Sequence, residues 1–343
     1  MINKKISIII PCHNSSQTLD DAWNSLKNQT IGIENLECIF VDDASDDDGK
    51  TWKKLAEIEQ ECPESVMIIH LDENLRQGGA RNVGISYASG EYILFLDSDD
   101  ELVLETCKKL YELADKNKSD IIQFNHIYKL GNESKTTSES PFTCDYEIKN
   151  KEDRVKFLDA SLVTYGCTNK LYRLDIIKKA DAKFAEKVIY EEPLFVYPCF
   201  LYAKRVLLIT DAFYIYNFHH GSTVTSLLGR RILDHPKVQL LLLEYWLSRP
   251  DIFVEYKDVF ELYFLWSYYC ETICFAFENK VVLPLDYFKG MQEVCIKFFS
   301  DWKKNQMMKR IPQNVVEVLQ GINYSFNSQE ELTEYIQNSV NKL

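Results

Sequence analysis

The chain has 343 residues, 46% of them hydrophobic and 27% charged, and a formal net charge of −13. The length fits two domains or one elaborated α/β domain, and the composition is that of a globular protein. A chain this acidic implies no broad basic surface, which excludes a nucleic-acid partner and means that a bound phosphate needs a local cation, either a metal or placed Arg and Lys.

Residues 6–10 are a β-branched run ended by Pro11, which reads as a buried strand. Residues 16–28 predict a helix with Leu19, Ala22, Trp23 and Leu26 at helical spacing. A second apolar strand over 36–41 closes on Asp42-Asp43, and a helix over 51–61 turns Trp52, Leu55, Ala56 and Ile58 inward. A strand over 66–71, a helix over 78–88 and a strand over 92–96 complete the first hundred residues. Uninterrupted apolar strands alternating with helices imply a parallel sheet covered on both faces. Ligands of such sheets bind beyond the carboxyl ends of the strands. Polar clusters mark three of those ends, at residues 11–14, 42–48 and 97–100.

The third cluster is the most telling. Asp97-Ser98-Asp99 leaves a hydrophobic run and is followed by Asp100-Glu101. Alternation along a strand puts the first two carboxylates on one side. Like charges that close repel unless a cation sits among them, and hard carboxylate oxygens suit Mg²⁺ or Mn²⁺, ions that usually arrive with a substrate's phosphates. The competing reading of these three residues is a solvated acidic turn.

Beyond them, a helix over 105–116 and a strand over 120–128 follow. The polar stretch 129–146 reads as a hairpin or exposed loop. Residues 154–162 and 173–179 read as short helices, 190–202 as a helix and 206–209 as a strand. From about Leu227 the chain turns aromatic and helical, with helices over 238–247, 254–277, 287–303 and 330–341. The segment 259–277 is the best membrane candidate, but it contains Glu261 and Glu271 and reads as a buried or interfacial helix. The ten cysteines include no CxxC pair, so reduced thiols in a cytosolic protein are expected; the start of the chain lacks a signal-peptide layout.

Six segments, in order, resemble family 2 glycosyltransferases: ISIIIPCHN (6–14), IFVDDASDD (39–47), ENLRQGGARNVGISYASGEYILFLDSDD (73–100), NKLYR (169–173), IYEEPLF (189–195) and YIYNFHHGSTVTS (214–226). The resemblance implies the GT-A fold, an α/β architecture with a mostly parallel sheet, and an inverting mechanism. It covers residues 1–226, which divide into a nucleotide-binding half (1–100) and an acceptor-side half (101–226); residues 227–343 would form a helical C-terminal region.

The resemblance also implies roles. Asp43 would accept from the N3–H of uracil, with Asp42, Pro11, His13 and Asn14 around the nucleotide; His13 stands where the family commonly has Tyr or Phe. Asn74 and Arg81 would flank the nucleotide, and a guanidinium can pair bidentately with a phosphate or with the site's carboxylates. Asp97 and Ser98 would line the ribose and diphosphate, and Ser222 would contact phosphate. Asp99, Asp97 and His219 would hold Mn²⁺ or Mg²⁺. Glu192 would be the base, with Glu191 orienting it, although the family usually has Asp at the position of Glu192. The same two acids, followed by Pro193, also suit the start of a helix.

The expected activity is therefore metal-dependent transfer of a sugar from a nucleotide donor, a UDP-sugar, to a glycan or lipid-linked acceptor in bacterial surface polysaccharide assembly. The alternatives are a nucleotidyltransferase, which would want a basic phosphate loop near the N-terminus, and a non-catalytic glycan- or nucleotide-binding module, which would need no base. The aromatic residues of the tail are read as a helical core, with acceptor stacking, self-association or peripheral contact with the inner face of the membrane as the functional alternatives.

Overall fold

The structure is a computed structural model that describes residues 4–131, 133–159, 162–218 and 230–343. The chain divides into two compact units, Met1–Ser222 and Thr223–Leu343.

The first unit is built on a sheet with ten strands among the described residues. Its N-terminal half contributes β1 (Ile6–Cys12), β2 (Leu36–Asp42), β3 (Val66–His70) and β4 (Tyr92–Phe95). These pair in parallel in the order β3-β2-β1-β4. The helices between them are α1 (Leu19–Lys27), α2 (Lys50–Glu61) and α3 (Arg76–Tyr87). Ile6, Ile8 and Ile10 enter one core with Leu19, Trp23, Leu26 and Leu55, while Ile9 enters the other with Ile93 and Phe95. Successive side chains thus feed opposite faces, as a sheet covered on both sides requires.

The second half adds β5 (Glu101–Leu102), α4 (Thr106–Asn117), β6 (Ile121–Leu130), β7 (Glu133–Thr136), β8 (Cys144–Glu147), α5 (Lys151–Asp159), β9 (Lys170–Arg173), α6 (Leu174–Ala180), α7 (Pro193–Tyr202) and β10 (Arg205–Asn217). β9 runs antiparallel between β4 and β6, and β10 runs parallel to β6.

Several expectations are corrected. Trp52 is 47% exposed and meets the His70 ring edge-on at 5.6 Å. Thr51 takes the inward place instead, because its hydroxyl donates to Asp47 Oδ2 (2.8 Å) and accepts from the Ser15 N–H (2.8 Å). The stretch 129–146 forms a hairpin, the first of its two expected readings, with β7 pairing antiparallel to β6, and it adds the unexpected strand β8, which pairs with β10. β10 runs eight residues past the expected end at Ile209, through register shifts that break the apolar pattern at Thr210 and Asp211. α7 begins at Pro193 rather than at 190, because Tyr190 has a left-handed backbone (φ 63°) that cannot continue a helix.

The second unit is helical: Asp234–Leu247, Pro250–Glu255, Lys257–Phe264, Thr272–Glu278, Leu285–Phe299, Gln313–Gln320 and Gln329–Val340, joined by short 3₁₀ turns. A π-helical segment, Leu265–Glu271, links the third and fourth of these. Much of its aromatic population is its own core. Trp246 stacks on Phe260 at 4.3 Å, and Phe264, Tyr268 and Tyr269 are buried. Among the described residues no helix is long and apolar enough to cross a membrane.

Candidate active site

The carboxyl ends of β1, β2 and β4 and the segment before α7 bring the charged residues of the first unit together. At the end of β2 the Asp43 carbonyl accepts from His13 Nδ1 (2.9 Å) and Asn74 Nδ2 (3.3 Å), so one oxygen gathers three loops. The Asp43 carboxylate accepts from the Leu75 N–H at 2.6 Å, and burial raises its pKa above the usual carboxylate value. Buried Asp42 accepts from His70 Nδ1 (2.8 Å) and the Ser45 N–H (3.2 Å). Asn14 exchanges hydrogen bonds with Asp46, donating from Nδ2 (2.6 Å) and accepting the Asp46 N–H (2.9 Å). Pro11 is buried within β1, in register with Val41. Ser98 Oγ lies 2.8 Å from Ser15 Oγ.

Asn14 (φ 54°), Ala44 (51°), Arg76 (62°) and Tyr190 (63°) all hold left-handed backbones without being glycine, and all lie in the loops that carry this site. Such corners cost on the order of 1–3 kcal/mol and persist where the surroundings over-determine them.

The carboxylates after β4 do not follow strand alternation. The strand ends at Phe95, and residues 97–100 form a turn closed by the Asp100 N–H donating to the Asp97 carbonyl (3.1 Å). Each acid therefore has its own surroundings. Asp97 accepts from Arg81 Nη2 at 2.6 Å. Asp100 is buried and accepts from the Tyr214 hydroxyl (2.7 Å) and the Asn217 N–H (2.8 Å). Burial, then the charges of Asp97 and Asp99, push its pKa up to about 8. Asp99 lines a cavity of about 320 Å³ with Thr18, Asp21, Lys129 and Asn217.

Arg81 joins this turn to the Glu191-Glu192 pair. Its side chain is 3% exposed, and Nη1 donates to Glu191 Oε1 at 2.6 Å while Nη2 holds Asp97. The guanidinium also lies over the Phe184 ring at 5.4 Å, and its buried Nε has no hydrogen-bond partner. Burial raises the pKa of Glu191 against the pull of Arg81. Glu192 caps α7, and its carbonyl accepts the N–H groups of Phe195 and Val196. Burial first, then the charge of Glu191, push the Glu192 carboxyl up to about 8. Gly78, on the face of α3 below Arg81, lets Glu191 approach: a Cβ there would meet the Ala185 carbonyl and sit 2.8 Å from Glu191 Cγ.

This architecture has counterparts. The family model described as Glycosyl transferase family 2 matches residues 7–180. The chain belongs to glycosyl transferase family 2. Along 332 residues, 88% of the chain and 89% of the relative, it is 28% identical to the cholesterol galactosyltransferase of Borreliella burgdorferi. It is 28% identical over 214 residues to the poly(ribitol-phosphate) beta-N-acetylglucosaminyltransferase TarS of Staphylococcus aureus, a match over 62% of this chain and only 35% of that longer protein. The crystal structure of S. aureus TarS 1–349 in complex with UDP-GlcNAc superposes with a TM-score of 0.74 at 21% identity, covering 98% of this chain and 90% of that one. The fold is GT-A and the protein is a glycosyltransferase.

Of the residues singled out in the sequence, His13, Asn74 and Asp43 meet at one carbonyl, and Arg81, Asp97 and Glu191 form one ion-paired chain. His219 and Ser222 lie outside the described residues. Sequence reasoning missed His70, Tyr214 and Asn217, which hold Asp42 and Asp100. The last two sit in the YIYN segment that carries the resemblance, so the signal was present there; for His70 there was none. No group of three or more His, Cys, Asp or Glu is preassembled as a metal cage among the described residues. The donor chemistry nevertheless fits a hard divalent cation: carboxylates crowd at a strand exit and oppose the ionisation of Asp100, and Asp99 lines a cavity with Asp21 and Glu101.

Proposed function

We propose that the chain is an inverting glycosyltransferase that moves a sugar from a UDP-sugar to a hydroxyl of a glycan or lipid-linked acceptor in cell-surface glycan assembly. The observation that carries this reading is the continuous charge chain Asp97–Arg81–Glu191 running to Glu192, which ties the donor end of the sheet to a carboxyl poised for proton transfer.

Asp43 accepts from the N3–H of uracil, and His13 and Asn74, already joined to its carbonyl, flank the base. Asp97 and Asp99, with His219, would hold Mg²⁺ or Mn²⁺, which when bound supplies positive charge against the diphosphate. Arg81 fixes Asp97 and Glu191 relative to one another. The acceptor oxygen attacks the anomeric carbon, the phosphate oxygen leaves from the opposite face with the bonding pair, and Glu192 takes the hydroxyl proton. A base is most effective with a pKa near the working pH, which the raised Glu192 meets. Relatives named as a galactosyltransferase and a beta-N-acetylglucosaminyltransferase, and the UDP-GlcNAc complex of TarS, support a UDP-hexose donor, and the beta of the second name supports inversion of an α-linked donor.

UDP release from UDP-galactose, UDP-glucose and UDP-N-acetylglucosamine, measured in EDTA and in Mn²⁺, tests the reading. Release is expected with at least one donor and only with the metal, and to be lost in Asp99→Ala. Turnover by Asp99→Ala equal to the parent removes the metal role.

A further inference from the structure

Residues 97–101 crowd Asp97, Asp99, Asp100 and Glu101 into one short stretch, and like charges this close oppose one another. Such a turn keeps a defined shape only if something outside it holds the chain, and the end of β10 supplies that hold. The Tyr214 hydroxyl accepts the Asp97 N–H (3.1 Å) and donates to Asp100 Oδ2 (2.7 Å). The Asn217 N–H donates to Asp100 Oδ1 (2.8 Å), and its side-chain Nδ2 donates to the Asp99 carbonyl (3.1 Å) and to Glu101 Oε1 (3.2 Å).

The chain reaches these contacts through an irregularity. β10 shifts its register with β6 between Leu208 and Ala212 and again between Ala212 and Tyr214. Phe213 and Tyr214, adjacent on the strand, both enter the same core, which strict alternation does not allow. Bulges re-aim side chains in this way. Here the re-aimed residue is Tyr214, whose buried ring packs edge-on against His126 at 5.2 Å and whose hydroxyl reaches the turn. A phenylalanine would fill the same core with no polar atom to satisfy. The antiparallel pairing of Tyr214 with Leu102 and of Ile215 with Glu101 then sets Asn217 beside the turn.

The acids are used differently. Buried Asp100 gives both carboxylate oxygens to Tyr214 and Asn217, which marks it as the anchor of the turn. Asp97 and Asp99 are gripped by main-chain atoms, the N–H of the first and the carbonyl of the second, so this grip consumes neither carboxylate.

We propose that Tyr214 and Asn217 are positioning residues for the divalent cation: with Asp100 as anchor they fix the main chain of Asp97 and Asp99, so that the two carboxylates are set before the ion arrives. The proposal rests on Asp97 and Asp99 being its ligands.

In the test, UDP is titrated calorimetrically into the full chain in EDTA and over a range of Mn²⁺ concentrations. The readout is the Mn²⁺ concentration that gives half of the metal's gain in UDP affinity. Tyr214→Phe keeps the ring and removes the hydroxyl, and should raise that concentration about tenfold, the scale of losing a group that orients a metal ligand. Asn217→Ala keeps its N–H on Asp100 and should raise it about fivefold, the scale of one hydrogen bond. UDP affinity in EDTA should stay parental in both, because the loops gathered at the Asp43 carbonyl carry the base. Tyr92→Phe removes another buried hydroxyl of the same sheet, one that donates to the Ser119 carbonyl and accepts from Arg173, and should leave the Mn²⁺ dependence parental. Parental Mn²⁺ dependence in Tyr214→Phe, or an equal rise in Tyr92→Phe, overturns the proposal. If Tyr214→Phe does not fold, Asn217→Ala decides alone: a rise supports the grip and a parental dependence overturns it. A parent whose UDP affinity ignores Mn²⁺ removes the metal reading itself, a separate failure that takes this inference with it.

Discussion

Glu271 in the helical unit and Glu192 in the catalytic unit are both partly buried, and burial has opposite results for them. Glu271 loses water but gains donors: Ser267 Oγ at 2.5 Å, Trp266 Nε1 at 3.2 Å, and His235 Nε2 within 3.5 Å. Burial alone would raise its pKa, but hydrogen bonds from His235 and Ser267 hold it below the usual value. Glu192 is pushed up to about 8 by burial and by its neighbour Glu191. The first carboxylate is satisfied and belongs to the fold. The second is left under-compensated, which suits a group that must exchange a proton.

The comparison can be broken at several points. The largest effect is expected in Arg81→Met, which leaves buried Glu191 without its counter-charge: a loss of about 3–5 kcal/mol in urea melts, together with loss of transfer. Glu192→Gln should lower kcat by roughly 10²–10⁴ and, near neutral pH, melt at or above the parent, because it removes a carboxyl whose folded pKa is raised. Parental kcat would show that Glu192 is as structural as Glu271. Gly78→Ala crowds Glu191 and should cost about 1–3 kcal/mol and about 10–100-fold in kcat. Glu271→Gln should show the converse of Glu192→Gln: a loss of about 1–3 kcal/mol on melting and parental kinetics.

The two groups also set the pH dependence of stability, with opposite signs. Glu271 has a depressed folded pKa, so its contribution is present above its unfolded value near 4.5 and is lost as pH falls through the folded value. Glu192 has a raised one, so its contribution is present below 4.5 and is lost as pH rises towards 8. Melting series from pH 2 to 9 should therefore show opposite slopes: the parent loses stability relative to Glu271→Gln as pH falls below 4.5, and relative to Glu192→Gln as pH rises from 4.5 towards 8.

Local pattern made the nucleotide-binding half readable. Leu19, Ala22, Trp23 and Leu26 are all buried on one stripe of α1, β1 is the β-branched strand its run of isoleucines predicts, and β2 is the apolar strand read over 36–41. What the sequence hid depends on contacts between distant positions. Arg81 and Glu191 are 110 residues apart, and nothing in the periodicity of α3 distinguishes that arginine from a surface one. Two short strands escaped for different reasons: β5 has two residues, and β9 opens on a lysine that burial statistics place outside. Trp52 was misplaced because hydrophobicity outranked the hydroxyl of Thr51, whose inward turn is fixed by hydrogen bonds to neighbouring loops.

The corners at Asn14, Ala44, Arg76 and Tyr190 bear on how such a chain adapts to heat. Glycine at Ala44 or Tyr190 would relax the corner but loosen the unfolded chain, so the gain in each is partly cancelled. A lineage moving to warmer surroundings would find its easiest improvements elsewhere, in helix caps and surface charge, and would carry these bends along unchanged. The geometry that joins the loops is thereby sheltered from the commonest route of thermal adaptation.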